Sequence, residues 1–284
     1  MVRDFASDLS ALALNTATLG HMFDGMGAGW SPERVIDACA ERGFGGVVFW
    51  RREIKEGRAR EVGERCRAAG MRVGGLCRTP FLTGPGAAEN HLDESKAAID
   101  MAAELGAEAL TIVSGGVEPG SKGVLESQKI LAERLARLAG YAEESGVLLA
   151  LEPLNPMFGG NRTCVMTVPD ALRVCDAVGA ASLGIAVDVY HVWWDGELAA
   201  RLEAARGRIF GLHLCDWLAE TRDMLLDRGM MGDGVADVRG IRRAVEAAGY
   251  DGLCEVEVFS ERDWWRRPPG EVLDVIVERF RSVC

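Results

Sequence analysis

The sequence is short of positive charge and of long apolar segments, and each shortage excludes a class of protein. It contains 32 Lys and Arg residues against 43 Asp and Glu residues, for a net charge of −11. Because nucleic-acid affinity rests mainly on Lys and Arg contacts to phosphates, this balance disfavours a nucleic-acid partner. No apolar run is long enough to span a membrane, and the start, Met1–Phe5, lacks the apolar stretch of a signal peptide. We therefore expect a cytoplasmic protein with no membrane partner and a neutral or hydrated small substrate.

The sequence also lacks a C-x-x-C pair. Its eight cysteines are scattered, and several fall within apolar helix or strand patterns, as free buried thiols do. Their spacing does not resemble a disulfide framework, which fits a reducing cytoplasm. Histidine is scarce as well, since the chain has only four.

What the sequence does contain is one repeating unit, an apolar strand followed by an amphipathic helix. The predicted strands are Ala11–Ala17, Gly46–Trp50, Arg72–Leu76, Ala109–Val113, Val147–Leu151, Leu183–Val187, Arg208–Leu212 and Leu253–Val256. The predicted helices are Pro32–Arg42, Gly57–Ala69, Asp93–Leu105, Val124–Ser145, Val168–Val178, Glu197–Ala205, Val238–Ala248 and Gly270–Ser282. Eight alternating pairs predict an α/β fold, a closed parallel (β/α)8 TIM barrel. No linker interrupts the series, so residues 1–284 are expected to form a single domain.

Glycines and loop lengths support this arrangement. Seven glycines follow helical patterns, as residues just past a helix end do, at positions 43, 70, 106, 146, 179, 207 and 249. Long polar loops follow the third, fourth, fifth and seventh strands: Cys77–Leu92, Ser114–Gly123, Pro153–Thr167 and Leu214–Asp237. In such a barrel the loops after the strands build the active site. We therefore expect the substrate site at that end.

Four metal-binding side chains lie at the ends of the last four predicted strands. Glu152, Asp188, His213 and Glu257 each directly follow an apolar run. Strand ends of a closed parallel barrel converge, so the four are expected to meet at one point. Three carboxylates and an imidazole there form a site for a divalent metal with positions open to substrate.

Each of these residues has another interpretation. The alternatives are an ion pair between Glu152 and an arginine on a neighbouring strand, a helix cap for Asp188, and an ordinary core position for His213. Glu255 competes with Glu257, because the two point the same way in a strand; the one nearer the strand end is favoured as the ligand. Asp216 is interpreted either as a partner that orients the His213 imidazole or as a simple loop residue.

The chain resembles the xylose-isomerase-like barrel superfamily, nearest its 2-keto-myo-inositol isomerase and tagatose 3-epimerase branch. The segments that carry the resemblance are Leu151–Pro153, Asp188–His191, His213–Asp216, Arg228–Gly234 and Glu255–Phe259. The resemblance implies that Glu152, Asp188, His213 and Glu257 bind one divalent ion. Mn²⁺ or Mg²⁺ is favoured, with Co²⁺ and Zn²⁺ as alternatives. It further implies that His191 and Arg228 hold substrate oxygens.

The activity that the resemblance implies is that of an isomerase or epimerase of carbohydrate metabolism. It would act on a polyhydroxylated ketose or keto-inositol through a metal-stabilised enediolate, with Glu152 and Glu257 as acid and base. The same enolisation serves a dehydratase or lyase, which stays open. A nuclease of the AP endonuclease type needs about three metals and more histidines, and a non-catalytic barrel needs no charges at strand ends. A homo-oligomer stays open. Five aromatic residues are expected against the sugar ring or in the core: Phe49, Trp50, Trp193, Trp194 and Trp217.

Overall fold

Eight parallel strands close into a barrel. In this computed structural model, which describes residues 3–4, 7–21, 23 and 25–284, each strand pairs with the next along the chain and the last pairs with the first. The strands are β1 (Leu12–Asn15), β2 (Gly46–Trp50), β3 (Arg72–Cys77), β4 (Ala107–Val113), β5 (Leu148–Glu152), β6 (Leu183–Asp188), β7 (Ile209–Leu214) and β8 (Cys254–Val256). The predicted TIM barrel is confirmed. Within the N-terminal segment interpreted above, residues 1, 2 and 5 lie outside the described part.

Helices follow the strands in the predicted alternation. Those of the described residues are α1 (Pro32–Ala40), α2 (Ala59–Ala68), α3 (His91–Leu105), α4 (Val124–Glu144), α5 (Val168–Val178), α6 (Val189–Val192), α7 (Leu198–Ala204), α8 (Val238–Ala247) and α9 (Pro269–Ser282). The sequence did not predict α6, which is a single turn directly after β6. The Asp188 carboxylate caps it by accepting a hydrogen bond from the Tyr190 backbone N–H at 2.8 Å. The helix-cap interpretation of Asp188 is thus correct, and it does not remove Asp188 from the site described below.

Local sequence signals set the ends of these elements. The Ser31 hydroxyl caps α1 and the Thr167 hydroxyl caps α5, each with a proline in the first turn. The seven glycines predicted to end helices all have φ between 69° and 94°, a region that favours glycine. The first strand ends earlier than predicted, at Asn15, because Thr16–Leu19 forms a 3-10 turn. The Asn15 side chain accepts a hydrogen bond from the Ala17 N–H and so starts that turn.

The strand register determines which side chains meet inside the barrel. In β6 and β7, Asp188 lies directly opposite His213, and in β7 and β8, His213 lies opposite Glu255. Glu257 lies two residues beyond Glu255, on the same side of the strand and closer to the carboxyl end of the barrel. Both glutamates are buried, as expected.

The structure also bears on the apolar segments and the cysteines. Among the described residues, no helix is long and apolar enough to cross a membrane. All eight cysteines are buried free thiols, as their scattered spacing predicted. A cytoplasmic location stays a prediction.

Candidate active site

The structure brings the four predicted ligands together. Glu152 and Asp188 are the last residues of β5 and β6, His213 is the last but one of β7, and Glu257 directly follows β8. Each offers one ligand atom, and these atoms all lie within 4.8 Å of one another. The four side chains are buried, with at most 5% of each residue exposed. The strand-end pattern in the sequence therefore corresponds to one compact cluster in the fold.

The His213 imidazole lies between carboxylates on two sides. Its Nδ1 is 2.8 Å from Glu152 Oε1, and its Nε2 is 2.6 Å from Glu255 Oε1. Burial by itself lowers the pKa of His213, but the charges of Glu255 and Glu152 outweigh burial and raise the pKa well above its usual value. So many carboxylates in one buried place require positive charge beside them.

Buried atoms without hydrogen-bond partners indicate which kind of ligand the cluster can bind. Among the described residues, Oε1 of Glu152, Nδ1 of His213 and Oε1 of Glu255 have no hydrogen bond despite their short separations. A buried polar atom without a partner is costly, so such atoms call for an explanation. Carboxylate oxygens and an imidazole nitrogen that converge in this way form a ligand set for a divalent cation. Glu152, Asp188, His213 and Glu257 therefore fit a divalent metal ion, although the cluster does not decide between Mn²⁺, Mg²⁺, Co²⁺ and Zn²⁺.

Arg228 contacts two of the three carboxylates in this set. Its Nη1 donates hydrogen bonds to Asp188 Oδ2 at 2.8 Å and to Glu257 Oε2 at 3.2 Å. The guanidinium also lies between two rings, 4.3 Å from the centroid of Tyr190 and 4.2 Å from that of Phe259. Arg228 thus pairs with Asp188 and Glu257, whereas the Glu152 carboxylate lies against the His213 imidazole. Arg228 is a buried, permanently charged donor at the edge of the site.

His191, on α6, is positioned as a neutral hydrogen-bond donor. Its Nδ1 accepts a hydrogen bond from the Asn155 backbone N–H at 3.2 Å, which places the ring proton on Nε2. That Nε2 lies 3.7 Å from Asp188 Oδ2. Burial lowers the pKa of His191 to about 4, although the Asp188 and Glu152 charges act in the opposite direction. At neutral pH His191 therefore offers an uncharged N–H to the cavity.

Glu257 is held by Asn15, a residue to which the sequence assigned no role. The Asn15 amide donates a hydrogen bond to Glu257 Oε1 at 2.9 Å, and the Trp50 indole donates to Asn15 Oδ1 at the same distance. Burial raises the pKa of Glu257 to about 8, against the lowering effect of Arg228. Asn15 ends β1 as Glu152 ends β5, so the strand-end rule, applied to amides as well as to acids, would have found it.

The partner of the imidazole is Glu255, and its assignment to Asp216 is wrong. The Asp216 carboxylate instead accepts hydrogen bonds from the backbone N–H groups of Gly232, Gly234 and Ala236. It therefore organises the loop after β7, as its alternative interpretation held. Glu255 reaches His213 because the β7–β8 register places the two residues side by side.

A cavity of about 350 Å³ opens onto the cluster. Its walls include Glu152, Glu257, His191 and Arg228, together with four aromatic side chains: Phe23, Trp50, Phe158 and Phe259. Of the five aromatic residues predicted near a sugar ring, Trp50 alone lines this cavity. Phe49 is fully buried, Trp193 and Trp217 stack on each other with ring centroids 5.4 Å apart, and Trp194 is 39% exposed. The other four are therefore wrong as cavity contacts.

Comparison with known proteins identifies the family. A family model described as the xylose isomerase-like TIM barrel matches residues 36–282. The chain belongs to this family. A solved structure from Sinorhizobium meliloti 1021 is 41% identical, with a TM-score of 0.89, and the match covers 98% of this chain and 99% of that one. The structure of IolI protein with a bound zinc atom, at 19% identity, shares the barrel over 96% of this chain and 97% of that one with a TM-score of 0.81.

Curated relatives in this family carry names of isomerases, epimerases and dehydratases. Fructoselysine 3-epimerase of Escherichia coli O157:H7 is 29% identical over 68% of this chain and 66% of its own length. Inosose isomerase of Bacillus velezensis is 32% identical over 56% of each chain. 3-Dehydroshikimate dehydratase of Pseudomonas aeruginosa is 26% identical over 82% of this chain but 37% of its own length. The chain thus spans about two thirds or less of these relatives.

Proposed function

We propose that the protein is a divalent-metal-dependent isomerase or epimerase of a small hydroxy ketone, such as a ketose or keto-inositol. The observation that carries this proposal is the pair Glu152 and Glu257, two buried carboxyl groups in one metal-competent cluster at the wall of a ligand-sized cavity. Relatives named as a 3-epimerase and an isomerase support the reaction class.

In the proposed reaction, one of the two carboxylates removes the proton from the carbon beside the substrate carbonyl and the other returns it. Glu152 extends from β5 and Glu257 from β8, so the two reach the cavity from separate strands. Arg228 and the Nε2–H of His191 donate hydrogen bonds to the substrate oxygens on which negative charge develops. A divalent ion held by Glu152, Asp188, His213 and Glu257 would add positive charge beside those oxygens.

A dehydratase is the second candidate, because elimination of water starts from the same proton abstraction. The match to 3-dehydroshikimate dehydratase, which covers most of this chain, favours keeping it. A three-metal nuclease is supported less well, since two of the four histidines lie away from the cluster. His21 contacts Glu53, and the His91 ring contacts the Ala88 carbonyl.

Product analysis by NMR in D₂O tests the proposal. Purified protein with added Mn²⁺ or Mg²⁺ is incubated with a panel of ketoses and keto-inositols. Deuterium that enters a product of unchanged composition supports an isomerase or epimerase, whereas loss of water supports the dehydratase. Failure of every substrate to exchange deuterium, with metal bound, would contradict both.

The variant Glu152→Gln tests the two carboxylates separately. It keeps an oxygen for the metal but removes the basic group. For a two-base enzyme we expect net conversion to stop while deuterium still enters the substrate from one face. Unchanged conversion would show that Glu152 acts only as a ligand. Glu220→Gln, an exposed acid in the loop after β7, is the matched control and should behave as the unmodified protein.

A further inference from the structure

Two arginines in the cavity wall have no acidic partner among the described residues. Arg78 and Arg162 both line the cavity that opens onto the carboxylate cluster. The Arg78 guanidinium donates a hydrogen bond to the neighbouring Thr79 carbonyl at 3.0 Å. Within the described part of the chain, neither guanidinium forms an ion pair, whereas Arg228 in the same cavity contacts two carboxylates. The unpaired state is notable in a protein with 43 acidic residues.

Aromatic rings hold the two unpaired guanidinium groups near each other. The Cζ atoms of Arg78 and Arg162 lie 4.3 Å and 5.9 Å from the centroid of the same ring, that of Phe81. Arg162 also lies 5.8 Å from the centroid of Phe158. Burial and the nearby Arg162 charge lower the pKa of Arg78 to about 10, which still leaves it charged at neutral pH. Two like charges are therefore kept together at a half-buried wall.

The position of Arg78 is fixed further by its backbone. Arg51 donates a hydrogen bond to the Arg78 carbonyl at 3.2 Å. A second cavity of about 440 Å³, lined by both of these arginines, shares Trp50, Cys77 and Arg78 with the first. Three arginines, Arg51, Arg52 and Arg78, thus make the wall of this second cavity basic.

Unpaired, partly desolvated cations are costly, and a ligand that supplies the opposite charge removes that cost. Guanidinium groups match the geometry of carboxylate and phosphate oxygens, to which they donate paired hydrogen bonds. The net charge of −11 favoured a neutral substrate, but the charge of the cavity wall, and not that of the whole surface, decides what the cavity holds.

We propose that the substrate carries an anionic group, a carboxylate or a phosphate, bound by Arg78 and Arg162. Its hydroxy-ketone end would then face Glu152 and Glu257. The placement of the hydroxy-ketone end rests on the proposed function. The binding of the anionic group by the two arginines does not. The cavity of about 350 Å³ suits such a molecule, since pockets for small ligands begin at roughly 300 Å³.

The test is titration calorimetry with three ketoses that differ only at carbon 6: D-fructose, D-fructuronate and D-fructose 6-phosphate. Each is titrated into the Mn²⁺-loaded and the metal-free protein. We expect at least one anionic ketose to bind about tenfold or more tightly than fructose in both forms. Arg78→Gln and Arg162→Gln should each abolish that preference, and Arg78→Lys should keep part of it. Arg137→Gln, on the exposed side of α4, should keep all of it. The tighter of the two anions identifies carboxylate or phosphate.

Several results would overturn the inference. They are equal affinity for the three ketoses, no detectable binding of either anion, a preference that survives both Gln variants, or one that appears only when Mn²⁺ is present. The last would mean that the anion binds the metal. Failure of the proposed function is a separate result: arginine-dependent binding of the anion would persist while no ketose of the panel exchanges deuterium.

Discussion

Replacement of Arg228 by alanine should destabilise the metal-free protein far more than the metal-bound protein. Arg228 is 3% exposed and contacts Asp188, fully buried, and Glu257. Removal of one partner from a buried ion pair leaves an uncompensated charge and costs about 3–5 kcal/mol. At about 2 °C per kcal/mol for a chain of this size, the Tm of the metal-free variant should fall by about 6–10 °C.

With a divalent ion bound, the same carboxylates already have positive charge beside them. The fall in Tm should then be less than half as large, and metal content should stay near one ion per chain. Turnover should fall by about 100-fold or more, because a charged donor to the substrate oxygens is gone. Differential scanning fluorimetry with EDTA or Mn²⁺, elemental analysis and the D₂O assay measure the three effects.

The matched control is Arg206→Ala. Arg206 pairs with Glu203 on the surface, and both side chains are more than half exposed. Exposed pairs of this kind contribute little, so neither form should change its Tm measurably. An equal fall of Tm in both forms of Arg228→Ala, or loss of the metal, would refute the reasoning and would make Arg228 part of the metal site.

Three further predictions concern the same cluster. Glu255→Gln should weaken metal binding by about 10–100-fold without unfolding the protein, measured by competition with a chelator; unchanged affinity would contradict its role beside His213. Asn15→Ala should lower turnover by about tenfold while metal content is kept, since it frees the Glu257 carboxylate; a loss of metal instead would show that Asn15 supports the site itself. Metal binding should release protons at pH 7 and tighten as the pH rises towards 8, where Glu257 loses its proton; affinity that is flat over this range would refute it.

The barrel and its cluster were predictable because both depend on local patterns. Apolar runs of strand length with glycine-ended helices between them repeat eight times, and parallel closure then forces the strand ends together. Glu152, Asp188, His213 and Glu257 needed no knowledge of distant contacts beyond that closure. The position of α6 was missed because a one-turn helix has no periodic pattern to detect.

The partners of these residues depend on long-range geometry and were not predictable. The β7–β8 register places Glu255, and not Asp216, beside His213. Sequence spacing alone favours Asp216, because it lies only three residues from His213. The unpaired state of Arg78 and Arg162 appears only once the loops after β3 and β5 fold over the same cavity. The net charge of the chain does not predict this unpaired state, because acidic residues elsewhere in the described part of the protein form no ion pair with the two arginines.

The charges around the buried carboxylate cluster explain how the same fold can be stable both without a metal ion and with one. Arg228 places its positive charge against Asp188 and Glu257, while the His213 imidazole lies against Glu152 and Glu255. The carboxylates of Glu255 and Glu152 favour a proton on His213, and burial favours one on Glu257. A divalent ion brings two positive charges and displaces those two protons, so the total charge of the cluster stays the same. Calorimetry in buffers of different ionisation enthalpy should therefore show release of about two protons per ion at pH 7. Release of none would mean that His213 and Glu257 already bind as neutral imidazole and carboxylate, and the charge balance proposed for the cluster would be wrong.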